Sequence, residues 1–219
     1  IVGGYTLSTN NIATNGAYQT TIVDFDAFIA KFDSLGNRVW GTYMGGTGFD
    51  RSYALTIDLQ DNIIVSGNTM SSSGIATLGT HQQVLQSADD AFIMKFNSSG
   101  QLIWGTYYGG NAHDFIGDVA IDSMNNIFVT GHTQSTIFPI SISAHNKILD
   151  SVESAFLGVF DSTGNIIHST YYGIGNYDGG MGVETASDGS IFMSGYTSSS
   201  NEIAFGTSNQ ATLSGQNDG

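Results

Sequence analysis

The chain has 219 residues and a formal charge of −14, with five basic against nineteen acidic side chains. Such a surface repels phosphate backbones and anionic lipid heads, so nucleic acid and direct membrane insertion are disfavoured. The 40% apolar content is too high for a disordered chain, and the absence of cysteine removes disulfide and thiol chemistry together.

The opening IVGGYT matches IVSGNT (Ile64–Thr69) at a shift of 63, so the sequence begins inside a repeat unit and reads as a piece of a longer polypeptide. A polar loop follows, NNIATNGAYQ, which recurs as SGIATLGTHQ from Ser73 to Gln82. Next comes AFIAKF, where Phe28, Ala30 and Phe32 alternate with Ala27, Ile29 and Lys31. Both faces are largely apolar, which suits a strand in a sheet covered on both sides. The segment from Asp26 to Gly46, DAFIAKFDSLGNRVWGTYMGG, returns 64 residues later as DAFIMKFNSSGQLIWGTYYGG and again after 64 as SAFLGVFDSTGNIIHSTYYGI. Self-similarity at a fixed period marks a repeat protein whose units bury their faces against one another.

Within each unit Gly36, Gly100 and Gly164 close a short hairpin turn, so the flanking strands are antiparallel partners. A second pair of strands, ALTIDLQDNIIVSGNT and its copies, flanks a tight turn at Asp61–Asn62, Asn125–Asn126 and Asp188–Gly189. Four strands per unit and no helical periodicity predict an all-β fold, a β-propeller of four-stranded antiparallel blades. The innermost strand is expected to start near Tyr53, Gly117 and Gly182; the alternative frame starts each blade at the AF strand. The first frame gives a partial blade over 1–46, blades over 53–110 and 117–174, and a partial or degenerate blade over 181–219. At about 3.4 repeats the chain is an incomplete ring, since propellers carry at least about four blades. The missing blades are expected from the rest of the polypeptide or from a neighbouring chain.

These segments resemble the SBBP (seven-bladed β-propeller) repeat family of bacterial proteins, through residues 26–46 with 53–69, 90–110 with 117–133, and 154–174 with 181–197. The loop Ile12–Gln19 is similar to a variant found in secreted proteins of Bacteroidota. The resemblance implies an extracytoplasmic location, at the cell surface or beyond it, and for the Bacteroidota relatives export by the type IX route. The third copy departs from the pattern at His168, Ile174 and Glu184–Ala186.

The polar position that recurs at the loop mouths is aspartate: Asp50, Asp114 and Asp178, 64 residues apart. Carboxylates displayed there as a rim can gather Ca²⁺ or the hydroxyls of a glycan. The bland reading, which is preferred, has each one capping backbone N–H groups in its own loop. His81, His113, His132, His145 and His168 lack metal-ligand spacing. Gly45, Gly46 and Gly48 are followed by no helix and so make no phosphate loop. Trp40, Trp104, Tyr43, Tyr107 and Tyr171 read as core knobs between glycines rather than sugar platforms. No Ser/His/Asp set or carboxylate pair can be assembled from spacing, so no catalytic residue and no cofactor is expected. An enzyme places unlike charged residues in one copy only, whereas a scaffold repeats its features. The chain therefore reads as a non-enzymatic binding or adhesion scaffold of an exported protein, with a glycan or a surface protein as partner. The alternatives are a structural subunit of an extracellular array or filament, and a carbohydrate-active propeller enzyme.

Overall fold

The structure, a computed structural model, describes residues 1–149, 152–173 and 176–199. The expectations placed on Ile174 and on residues 200–219 of the last blade lie outside the described residues. Strands β1 (Val2–Thr6), β2 (Asp26–Phe32) and β3 (Arg38–Met44) form a three-stranded sheet in the order β1-β2-β3. Strands β4 (Asp50–Ile57), β5 (Ile63–Thr69), β6 (Asp90–Phe96) and β7 (Leu102–Tyr108) form a four-stranded sheet in chain order. A second four-stranded sheet repeats it with β8 (Asp114–Ile121), β9 (Ile127–Thr133), β10 (Ser154–Phe160) and β11 (Ile166–Tyr172). The pair β12 (Asp178–Thr185) and β13 (Ile191–Thr197) follows. Every pairing is antiparallel, the described residues contain no helix, and the sheets do not close a ring.

Alternation along β6 explains how the sheets stack. Phe92, Met94 and Phe96 join Ala27, Ile29 and Met44 of the first sheet in one core, while Ala91 and Ile93 join Ile116, Val129 and Phe156 of the next sheet in another. A period of two along one strand thus feeds two cores, which is why neither face of β6 is polar. Strand β4 packs against β8, and β8 against β12, so the first strand of each sheet is the one on which neighbouring sheets converge.

This inner strand begins at Asp50, Asp114 and Asp178, three, three and four residues before the predicted starts. The cause is a β-bulge: Ser52 pairs with Gly67 and Ala54 with Ser66, leaving Tyr53 without a partner, and the register shifts likewise at Ile116/Asp118 and Gly180/Gly182. A bulge bends the strand and re-aims its extra side chain. The facing residue has to be glycine: a Cβ on Gly67 or Gly131 would stand 1.8 Å from the carbonyl oxygen of Arg51 or Phe115. The hairpin turns are Asx turns. Asp33 Oδ1 accepts from the Leu35 and Asn37 N–H groups at 2.9 and 2.8 Å, and Gly36 takes φ +82°.

The long loop between the second and third strands folds back along the outer strand of its own sheet. Thr77 N–H donates to Gly105 O at 2.9 Å and Tyr107 N–H to Gln82 O at 3.0 Å; Thr14 with Gly41 and Tyr43 with Gln19 repeat this in the first sheet, and Ser141 with Ser169 and Tyr171 with Asn146 in the third. The outer edge of each blade is thereby covered rather than left as a template for association.

Candidate functional site

The three repeated aspartates lie at corresponding positions on one end of the stacked sheets, as their spacing predicts, but they do not form an exposed rim. Asp50, Asp114 and Asp178 are 0%, 1% and 1% exposed. Asp50 accepts from Gly46 N–H at 2.8 Å, from the Ser71 hydroxyl at 2.7 Å and from the Thr69 hydroxyl. Asp114 accepts from Gly110 N–H at 2.7 Å, from the Ser135 hydroxyl at 2.9 Å and from the Thr133 hydroxyl. Asp178 takes Thr197 at 2.5 Å and Ser199 at 2.6 Å. The direction of these bonds is fixed locally. Each threonine oxygen already accepts the N–H two residues on, from Ser71, Ser135 or Ser199, so its own hydrogen is directed to the carboxylate. The threonine and serine partners, 19 and 21 residues after each aspartate, were not among the residues singled out from sequence, although their spacing repeats as faithfully.

A second carboxylate stands beside the first in two of the three units. Asp26 and Asp90 open β2 and β6, and a Cβ on Gly45 would meet both Asp26 and Asp50, as one on Gly109 would meet both Asp90 and Asp114. The third unit has Ser154 at this position. Asp90 is satisfied by Gln82 Nε2 and Gln86 N–H, each at 2.8 Å, and by the Ser87 hydroxyl at 3.0 Å. Asp26 receives Gln19 Nε2 at 2.7 Å, but its Oδ1 is buried without a partner. Burial, and then the charge of Asp50, pushes the Asp26 carboxyl up to about 6. Burial pushes Asp114 up to about 7, against its three donors and with a smaller contribution from the Asp90 charge. Asp50 and Asp90 are raised by burial as well. Carboxylate pairs therefore do exist, contrary to the expectation from spacing. They are buried, every oxygen but Asp26 Oδ1 accepts a hydrogen bond within the strand crossover, and no group of three or more His, Cys, Asp or Glu suited to a metal occurs among the described residues.

The aromatic knobs are structural. Trp40 Nε1–H donates to Ser98 O at 3.1 Å and Trp104 Nε1–H to Ser162 O at 3.0 Å, tying each outer strand to the turn of the next blade. Tyr43, Tyr107 and Tyr171 are buried, and each hydroxyl donates to the carbonyl of Ser8, Ser71 or Ser135 at 2.7 Å. Of the histidines, His81 is lowered by burial beside Tyr108 and Phe160, and His145 lies near Tyr172. His168, at the tryptophan position, stands 3.5 Å from Ser143 Oγ.

Chemistry that differs between repeats is gathered next to the repeated aspartates. The residue before each strand of the AF series is Phe25, Asp89 or Glu153; those flanking the repeated aspartate are Phe49 and Arg51, His113 and Phe115, Tyr177 and Gly179. The residue before the repeated threonine is Tyr5, Asn68, His132 or Tyr196. These side chains touch. His113 Nδ1 pairs with Asp89 Oδ1, Asn68 Nδ2 reaches Asp89 Oδ2 at 3.3 Å, Phe115 stacks on His132 at 4.7 Å and Tyr196 donates to Glu153 at 2.8 Å. Sequence reading had set His113 and His132 aside for lack of metal spacing. Their neighbours come from other strands, which spacing along the chain does not show.

Comparison with known proteins agrees with this architecture. The family described as SBBP, a beta-propeller repeat, matches residues 103–139. An uncharacterized WD repeat-containing protein of Acanthamoeba polyphaga mimivirus is 27% identical over 87% of this chain, and the chain spans 15% of that relative's length. The matched segment runs from β7 through β8 and β9, and the same unit recurs on either side at a spacing of 64 residues. Its strands belong to antiparallel sheets stacked face to face, the arrangement expected of the β-propeller repeat that residues 103–139 match.

Proposed function

We propose that this chain is a non-enzymatic propeller module of an exported bacterial protein, a scaffold that binds or adheres at the cell surface or outside the cell. The observation that carries the reading is the division of labour within the repeat. Asp50, Thr69, Ser71 and their copies keep one structural role in each unit, while the residues that change, such as Arg51, Phe115 and Gly179, meet at one end of the sheets. A constant framework with variable tips suits recognition. The remaining blades are supplied by the rest of the polypeptide or by a neighbouring chain. The test is fractionation of the source cells with protease treatment of intact cells, followed by detection of the full-length protein. Digestion by external protease, or recovery from the medium, is expected; recovery only from inside intact cells refutes export.

A second reading, a subunit of an extracellular array, is favoured by Leu78 and Ile142. These equivalent loop residues are each 94% exposed, and a regular lattice of chains would cover them.

A further inference from the structure

Arg51 is one of five cations in a chain of nineteen acidic residues. Lys31 is held by Ser98 O, Arg38 by Asn11 O, and Lys95 by Asp58 at 2.8 Å. Arg51 has no carboxylate within ion-pair distance among the described residues. Its guanidinium carbon instead stands 5.9 Å from the Tyr5 ring centre, 5.5 Å from Phe25 and 5.9 Å from Phe49. The rings form one run: Phe49 to Phe25 at 6.0 Å, Phe25 to Tyr5 at 5.1 Å and Tyr5 to Tyr53 at 6.2 Å. Tyr5, Phe49 and Tyr53 remain 46%, 41% and 44% exposed, and Tyr53 is the extra residue that the bulge in β4 turns out of the ladder. Apart from a hydrogen bond to the Tyr53 hydroxyl, the guanidinium is walled by half-exposed rings and keeps the rest of its planar donor fork for something outside the chain. In the next units the Arg51 position is Phe115 and Gly179, so the arrangement exists once, at the junction of the first two sheets.

We propose that Arg51, with Tyr5, Phe25, Phe49 and Tyr53, forms a binding site for a glycan end that carries a single carboxylate, a uronic-acid residue. The guanidinium fork matches a carboxylate in two parallel hydrogen bonds. The exposed faces of Tyr5 and Tyr53 receive the apolar face of a pyranose ring, and their hydroxyls serve its hydroxyl groups. A cationic ligand is excluded because Arg51 already occupies the electron-rich ring faces. A densely charged polyanion is repelled by the net charge of −14, which leaves one carboxylate on an otherwise neutral body.

This site rests on the reading of the chain as a binding module, and the test keeps the two apart. The full-length protein is titrated calorimetrically with a tetrasaccharide whose only charge is a terminal glucuronic acid, with the same tetrasaccharide ended by glucose, and with a peptide ending in a phenylalanine carboxylate. The glucuronic acid end is expected to bind at least tenfold more tightly than the other two, and more weakly as salt is raised. Arg51→Gln is expected to lose that preference at an unchanged melting temperature, and Arg51→Lys, which keeps the charge without the fork, to retain only part of it. Equal affinity for the two sugars, preference for the peptide, absence of binding, or an Arg51→Gln protein that binds as before overturns the assignment. A glycan or surface protein bound independently of Arg51 overturns this site while leaving the scaffold reading standing.

Discussion

Val23 occupies the position that Ser87 holds one repeat later, and this one difference accounts for an unpaired atom. Ser87 gives its hydroxyl to Asp90 Oδ1, whereas Asp26 Oδ1 has no donor. Val23→Ser is expected to stabilise the protein by about 1 kcal/mol, read from urea unfolding, and to bring the Asp26 carboxyl down from about 6, read from its NMR titration. The raised carboxyls also set a pH dependence. Asp26 and Asp114 are raised above the unfolded value of 3.8, so their contribution to stability is full below that value and is lost as pH rises through about 6 and about 7. Asp58 and Asp161 are lowered by hydrogen bonds that outweigh burial, so theirs is present above 3.8 and is lost as pH falls below it. Stability is therefore expected to be greatest near pH 4 and to fall from there to about pH 7, with each raised group adding at most about 1.4 kcal/mol per pH unit. Asp114→Asn should flatten the alkaline side of this profile. Because its amide nitrogen replaces one carboxylate oxygen and so faces either the Thr133 hydroxyl or the Gly110 N–H with the Ser135 hydroxyl, it should also cost about 1–3 kcal/mol at pH 5. A variant with the original slope would place the titration elsewhere.

At the scale of the element, the outer loop is held by a threonine that no local pattern marks. Thr106 Oγ accepts from Gln82 N–H at 2.9 Å and donates to the carbonyl of Tyr107 at 2.9 Å. Thr106→Val keeps the shape and strands the Gln82 N–H, so a loss of about 1–3 kcal/mol is expected. Amide exchange should quicken at Tyr107, whose N–H bonds to Gln82 O, before it quickens along β6; uniform exchange would show that the loop and strands open together. Strands were the most legible part of the sequence. Apolar residues on both faces of AFIMKF announced a covered sheet, and Gly36, Gly100 and Gly164 announced the hairpins. The start of the inner strand was not legible, because the bulge at Tyr53 hides three paired residues behind an interruption of the alternation. The loop read as polar and repeated, but its bonds to the outer strand cross more than twenty residues of chain. The aspartate ladder was legible for the same reason the hairpins were: it recurs at a fixed spacing. Its burial was not, since Gly46 and the Thr69–Ser71 segment that enclose Asp50 lie apart along the chain, and the cup around Arg51 joins Tyr5 and Phe25 to residues 49–53 in a combination that the next units do not repeat.

Across the whole molecule, the sheets at the two ends of the stack are short of strands. Among the described residues, β1 has no partner on one side and β13 has none beyond β12. Expressed alone, these 219 residues are expected to self-associate as concentration rises, read by sedimentation velocity, while a longer product with more repeats stays monodisperse. Monodispersity of the short chain at high concentration would show that its ends need no partner. Between the ends each sheet is sealed on its outer side by its own loop, the one that joins its second and third strands. A unit so sealed carries its finishing with it. Tandem copies can then be gained or lost by recombination in the gene without a fresh outer edge being laid open inside the array, so copy number is free to drift while the constraint falls on the units at the two ends.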